Sequence, residues 1–78
     1  MPLFYFHLRG PDGLSEDPRG AILPDLDAAL AEAGKIARAV LANQLKEDRC
    51  FSGQQIEVCS VGGHVLATVP FWAVIGRI

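Results

Sequence analysis

Two runs of alternating apolar and polar residues near the C-terminus are separated by a glycine pair. The first is Ile56-Glu57-Val58-Cys59-Ser60-Val61 and the second is His64-Val65-Leu66-Ala67-Thr68-Val69, with Gly62-Gly63 between them. A Gly-Gly pair joining two β-prone runs predicts a two-residue type I′ hairpin turn, because both central positions need positive φ. Folding the chain there pairs Val61 with His64, Ser60 with Val65, Cys59 with Leu66, Val58 with Ala67 and Ile56 with Val69. Strand residues alternate between faces. Ile56, Val58, Ser60, Val65, Ala67 and Val69 therefore share one largely apolar face, and Glu57, Cys59, Val61, His64, Leu66 and Thr68 share the other.

The N-terminus alternates in the same way. In Leu3-Phe4-Tyr5-Phe6-His7-Leu8-Arg9, Phe4, Phe6 and Leu8 share a face suited to a helix, while Leu3, Tyr5, His7 and Arg9 face water or an interface. Gly10-Pro11-Asp12-Gly13 and Pro18-Arg19-Gly20 are turn signals. Of the short segments Leu14–Asp17 and Ala21–Leu23, one is expected to supply a second strand beside the first.

Between these strands the period changes from 2 to 3.6. Leu26, Leu30, Ala33, Ala37, Val40 and Leu41 gather on one side of a helix running from Leu26 to about Glu47. Asp25 is its N-cap, and Asp27 adds charge of the favourable sign in the first turn. Glu32, Lys35, Ala39, Ala42 and Lys46 lie roughly opposite, and Gln44 marks where burial fades on the apolar side. The small Ala33 and Ala37 allow close approach to Phe4 and Phe6. A helix of this length spans about 33 Å, against about 23 Å for a seven-residue strand, so its last turns should overhang the sheet. Ser52-Gly53 lies in the return to the hairpin. Pro70 ends the last strand or sits on an edge. Phe71-Trp72-Ala73-Val74-Ile75 is then too apolar for a free terminus.

Seventy-eight residues make one domain, 1–78. Half of them are hydrophobic and 21% are charged, which suggests an oligomer or a partner for so short a chain. The formal charge of −2 gives no field favouring nucleic acid or an anionic membrane. Acidic residues cluster before the helix, where the helix dipole and a solvated surface explain them. Leu3–Leu8 is too short and lacks the basic flank of a signal peptide. No apolar run approaches the roughly 20 residues of a membrane span. The expected compartment is the cytoplasm, with Cys50 and Cys59 as free thiols.

The run Phe4-Tyr5-Phe6-His7-Leu8-Arg9, the acidic glycine-containing turn, and Leu23-Pro24-Asp25-Leu26 followed by Ala28, Ala29, Glu32 and Ala33 form a recognisable pattern. So do Ile56-Glu57-Val58, Gly63, Leu66 and Thr68-Val69-Pro70-Phe71. Together they resemble a family of small uncharacterised proteins common in rhizobia and related alphaproteobacteria. The resemblance covers nearly the whole chain, and Leu-Pro-Asp-Leu entering a long helix is its most specific part. It implies no activity, cofactor or catalytic residue. Cys59 and Gly62 stand where the family is more often polar or acidic, which argues against Cys59 as a shared nucleophile.

Candidate chemistry is sparse. A Cys59–His64 pair has the residue types of an activated thiolate, but the register opposes Cys59 to Leu66. His7 with Asp17 or Asp25 has the types of an acid–base or metal site, from unrelated segments. Cys50, Cys59, His7 and His64 show no zinc spacing. Gly10, Gly13 and Gly20 lack the spacing and lysine of a phosphate loop.

These readings converge on an α+β domain of order β-β-α-β-β. A small antiparallel sheet of three or four strands carries one long helix on the face formed by Phe4, Phe6, Ile56, Val58, Val65, Ala67 and Val69. The first strand should lie beside the C-terminal hairpin, with the short second strand near the edge. The expected function is a non-catalytic structural or protein-binding module, without cofactor or metal, that self-associates as a homodimer. Tyr5, Leu66, Phe71 and Trp72 are the candidate interface residues, since large exposed apolar side chains dominate such contacts. The alternative is a regulatory module acting with a larger protein or nucleic acid, antitoxin-like or RNA-binding-like by fold analogy alone.

Overall fold

The computed structural model describes residues 2–46 and 53–75. Glu47, Cys50 and Ser52 lie outside the described residues, as do the side chains of Gln44, Lys46, Val74 and Ile75. In chain order the elements are β1 (Leu3–Gly10), β2 (Gly13–Ser15), β3 (Ala21–Ile22), α1 (Leu26–Lys46), β4 (Gln55–Cys59), β5 (Val65–Pro70) and α2 (Phe71–Ile75). They make an α+β fold with a long helix on an antiparallel sheet ordered β2-β1-β4-β5, in which β3 also pairs with β1. The first strand lies beside the C-terminal hairpin, as expected.

The sheet has five strands rather than three or four. Both short segments pair with β1: Ser15 lies opposite Leu8, and Ala21 opposite Phe4. Between them the Asp17 carboxylate accepts a hydrogen bond from the Phe6 N–H at 3.2 Å. A side chain there takes the place of a strand partner, so one interrupted strand registers as two. Gly20 makes the return possible. Its φ is +72°, and a Cβ there would sit 2.8 Å from the Phe4 carbonyl oxygen. Any larger residue would force the two chains apart.

The hairpin keeps its predicted pairing in the middle and changes it at the tip. Val58 faces Ala67 and Ile56 faces Val69, as the alternation requires. The turn, however, is not type I′. Of its two glycines only Gly63 has positive φ, at 86°. The Gly63 N–H donates to the Ser60 carbonyl at 3.0 Å, and the Ser60 N–H donates to the His64 carbonyl at 2.9 Å. The connection is therefore three residues, Val61-Gly62-Gly63, and Ser60 lines up with His64. Cys59 then faces Val65, and the register shifts before Val58 meets Ala67. That bulge leaves Leu66 as the extra residue and cancels the longer loop.

The bulge corrects one core assignment. Val65 shares the face of Cys59 and is 54% exposed, not part of the helix-covered face. Phe4, Phe6, Ile56 and Val58 do form the buried floor, with Ala67 and Val69 packed at its border. Ala29, Ala33, Ala37 and Leu41 descend onto it from α1 at four-residue spacing. Three alanines in that row bring the helix close to the aromatic rings. Leu26, expected on the apolar side, is left exposed at the helix start. Phe71 closes the end of the core at 1% exposure, and its N–H donates to the Gln54 carbonyl at 3.0 Å. The apolar tail thus turns back as a short helix against α1 and β5.

Candidate functional site

The polar side chains of the sheet gather on the face away from α1. Cross-strand partners share a face, so Tyr5 sits with Cys59, His7 with Glu57 and Arg9 with Gln55. The rings of Tyr5 and His7 stack with centroids 6.1 Å apart. The Arg9 Nε donates to Glu57 Oε2 at 2.8 Å. This pair is unevenly solvated, since the Arg9 side chain is 49% exposed and that of Glu57 only 10%. Among the described residues Glu57 is the buried charge, and Arg9 is what compensates it.

Asp17 is the most engaged carboxylate. Its Oδ2 accepts from the N–H of Phe6 at 3.2 Å and of Gly20 at 3.1 Å, and its Oδ1 accepts from Arg19 at 3.1 Å. Burial by itself pushes its pKa up. The three backbone N–H donors outweigh that, and the net shift is downward. His7 and Asp17 do meet, but through the backbone: the Asp17 N–H donates to His7 Nδ1 at 2.9 Å. An accepting Nδ1 carries no proton, so a neutral ring has its proton on Nε2. The carboxylate itself points at backbone donors and not at the imidazole. This is a loop anchor rather than an acid–base couple. Asp25 is occupied elsewhere, accepting from the Ala28 N–H at 2.9 Å as the N-cap of α1.

The structure also keeps Cys59 and His64 apart. Cys59 lies between Tyr5 and Val65, while His64 is exposed at the turn, where its N–H donates to Ser60 Oγ at 3.3 Å. Burial raises the Cys59 pKa and the charge of Glu57 raises it further, so the thiol stays protonated and poorly nucleophilic at neutral pH. Among the described residues no group of three or more His, Cys, Asp or Glu side chains could hold a metal ion. Among the described residues no helix is long and apolar enough to cross a membrane.

The four candidate interface residues separate. Tyr5 is half-buried on the open face, and Leu66 is exposed at the start of β5. Trp72 is 74% exposed just past the other end of β5, while its neighbour Phe71 is inside the core. Two further features escape the sequence pattern. Ile22, opposite Leu3, adds an apolar side chain that is 65% exposed at the same end of the sheet as Val65. And among the described residues β5 ends the sheet without a neighbour on its outer side. There Leu30, Ala31, Gly34 and Arg38 of α1 face Thr68 and Val69 across a cleft of ≈ 380 Å³. A second cleft of ≈ 320 Å³ lies at the β1–β2 turn beside Gln54, whose Oε1 is buried without a partner.

The chain belongs to the family described as the domain of unknown function DUF6894, whose model matches residues 3–72. No curated protein matches it, and no solved structure does.

Proposed function

We propose that this domain is a non-catalytic module that self-associates as a homodimer. The observation that carries the reading is the apolar area that one helix leaves uncovered. Trp72, Ile22, Val65 and Leu66 remain exposed although α1 and Phe71 already fill the core. Large exposed apolar side chains are costly on a soluble monomer when they gather into patches, and two-fold dimers are the commonest oligomers. Tyr5, Leu66 and Trp72 are its anchors. Phe71 contributes indirectly, by fixing the direction in which Trp72 projects. The engaged Asp17 and the protonated, buried Cys59 favour a structural over a catalytic role. The free thiol of Cys59 suits a reducing bacterial cytoplasm.

The test is the solution mass by analytical ultracentrifugation, followed down to low micromolar protein. A dimer across that range is expected, weakened by Leu66→Asp or Trp72→Ala. A monomer throughout, with stability unchanged by Leu66→Asp, would remove the reading. Stoichiometric co-purification of a larger protein or of nucleic acid with a monomeric chain would favour a regulatory module instead.

A further inference from the structure

Resting on that reading for its self-association and for Leu66 and Trp72, while leaving Tyr5 and Ile22 outside the contact, we propose where the second copy docks: the cleft between α1 and β5 meets the same cleft of a partner, so that the two β5 strands pair antiparallel and the two α1 helices lie antiparallel above them. Three independent features meet at this cleft. The first is the strand edge. Val65–Pro70 carries no charge, and among the described residues its outer backbone groups have no strand to pair with. Exposed edges are usually blunted by charges, bulges or proline. Here the bulge and Pro70 lie at the two ends and leave Ala67, Thr68 and Val69 open in the middle.

The second feature is the helix ridge beside that edge. Asp27, Ala31, Gly34 and Arg38 follow one another at intervals of four, three and four residues. At about 100° per residue they fall within a stripe about 60° wide. The stripe is acidic at one end, basic at the other and small in the middle. An antiparallel copy that sets Asp27 against the partner's Arg38 also sets Ala31 against the partner's Gly34, because both pairs are symmetric about the point between Glu32 and Ala33. The stripe is thus complementary to itself under a two-fold axis. Neither charge has an ion-pair partner among the described residues. Gly34 has no capping or turn role inside α1, and the space its side chain would take is occupied by the Arg38 guanidinium, 3.7 Å from where a Cβ would stand, which must swing outward to reach a partner.

The third feature is that both pairings fit one axis. Helix α1 packs over β4 and β5. Adjacent strands are about 4.8 Å apart. A helix centred over the β4–β5 pair would then stand about 9–10 Å from its symmetry mate, within the usual interaxial range of packed helices. The same axis carries Trp72, just past the end of β5, toward the partner's Val65 and the partner's Leu66. It would cover the most exposed aromatic of the described residues with the most exposed end of the strand.

A charge exchange tests this. Asp27 and Arg38 are eleven residues apart on one helix, about 16 Å, too far to interact within a chain. Asp27→Lys and Arg38→Glu should each raise the dimer Kd about tenfold or more in sedimentation at low salt, and the double variant should return it to within about threefold of the original. Circular dichroism at matched concentration checks that each variant is folded. Rescue in the double variant supports the interface, since a defect in folding or helix capping would add rather than cancel. A dimer indifferent to all three changes, or a double variant no tighter than the singles, overturns this docking while leaving self-association intact. Dissociation by Tyr5→Asp alone would then move the contact to the open face. A wild-type chain that is monomeric at every concentration overturns both the docking and the reading beneath it.

Discussion

The two edges of the sheet are treated differently. Along the outer side of β1 every stretch finds a partner: β2 at one end, the Asp17 carboxylate in the middle and β3 at the other. Along the outer side of β5 the described residues supply no strand, only an adjoining cleft lined by α1 and by Ala73 of α2. The sealed edge uses a loop that folds back on itself, fixed by one carboxylate and one glycine. The open edge follows a strand whose continuation turns away into α2. A short chain can close one edge with its own local connection. The described residues leave the other open to a further segment or a second molecule.

Substitutions that reopen the sealed edge should cost the most. Gly20→Val places a branched side chain at positive φ against the Phe4 carbonyl, with an expected loss of about 3 kcal/mol in chemical denaturation. A loss under about 1 kcal/mol would mean that the β3 segment is not held against β1. Asp17→Ala removes the acceptor of three backbone N–H groups, and about 2 kcal/mol is expected because the site is only partly buried.

Asp17 also gives the sealed edge a pH signature. Its folded pKa lies below the ordinary value of 3.8. The stabilisation is therefore present above that value and is lost as pH falls from it through the lower folded pKa. Stability compared at about pH 5 and about pH 2.5 should fall less in Asp17→Ala than in the wild type. Equal falls would show that the carboxylate does not anchor the loop. At the open edge the expected effect on the folded monomer is smallest. Thr68→Lys should change its stability by less than about 0.5 kcal/mol, while raising the dimer Kd about tenfold or more by charging the strand edge. A large loss of monomer stability would mean that β5 is not the free edge.

The same two edges separate what could be read along the chain from what could not. Alternation in Ile56–Val58 and Ala67–Val69 set the central register correctly, since an error of one residue would turn every apolar side chain to the wrong face. The tip lacked that constraint. Gly62-Gly63 is compatible with either a two-residue or a three-residue loop, and a bulge at Leu66 absorbs the difference at little cost. Val65 changed faces as a result. At the sealed edge, Asp17-Pro18-Arg19-Gly20 reads only as a turn. That its carboxylate bridges to Phe6, eleven residues earlier, depends on where β1 lies.

The burial of Glu57 and Phe71 has the same character. Glu57 alternates as an outward polar residue, and only the approach of Arg9 from a neighbouring strand makes its burial tolerable. Phe71 and Trp72 are adjacent and equally apolar, yet one fills the core and the other projects from it. A strand that ends at Pro70 and turns into a helix divides them, and the direction of that turn is set by contacts with α1.

By itself, the sequence determined the elements whose periodicity is local: the aromatic alternation of β1, the long alanine-rich amphipathic helix with Asp25 as its cap, and the hairpin centred on its apolar pairs. Side-chain period and capping chemistry act within a few residues, so they are legible without a fold. Only the tertiary structure decided that both short segments join β1, that the Asp17 carboxylate bridges to Phe6, and that among the described residues α1 and β5 flank a cleft with an unpaired edge. Those outcomes depend on which distant segments become neighbours, and that is fixed by how the core fills rather than by any pattern along the chain.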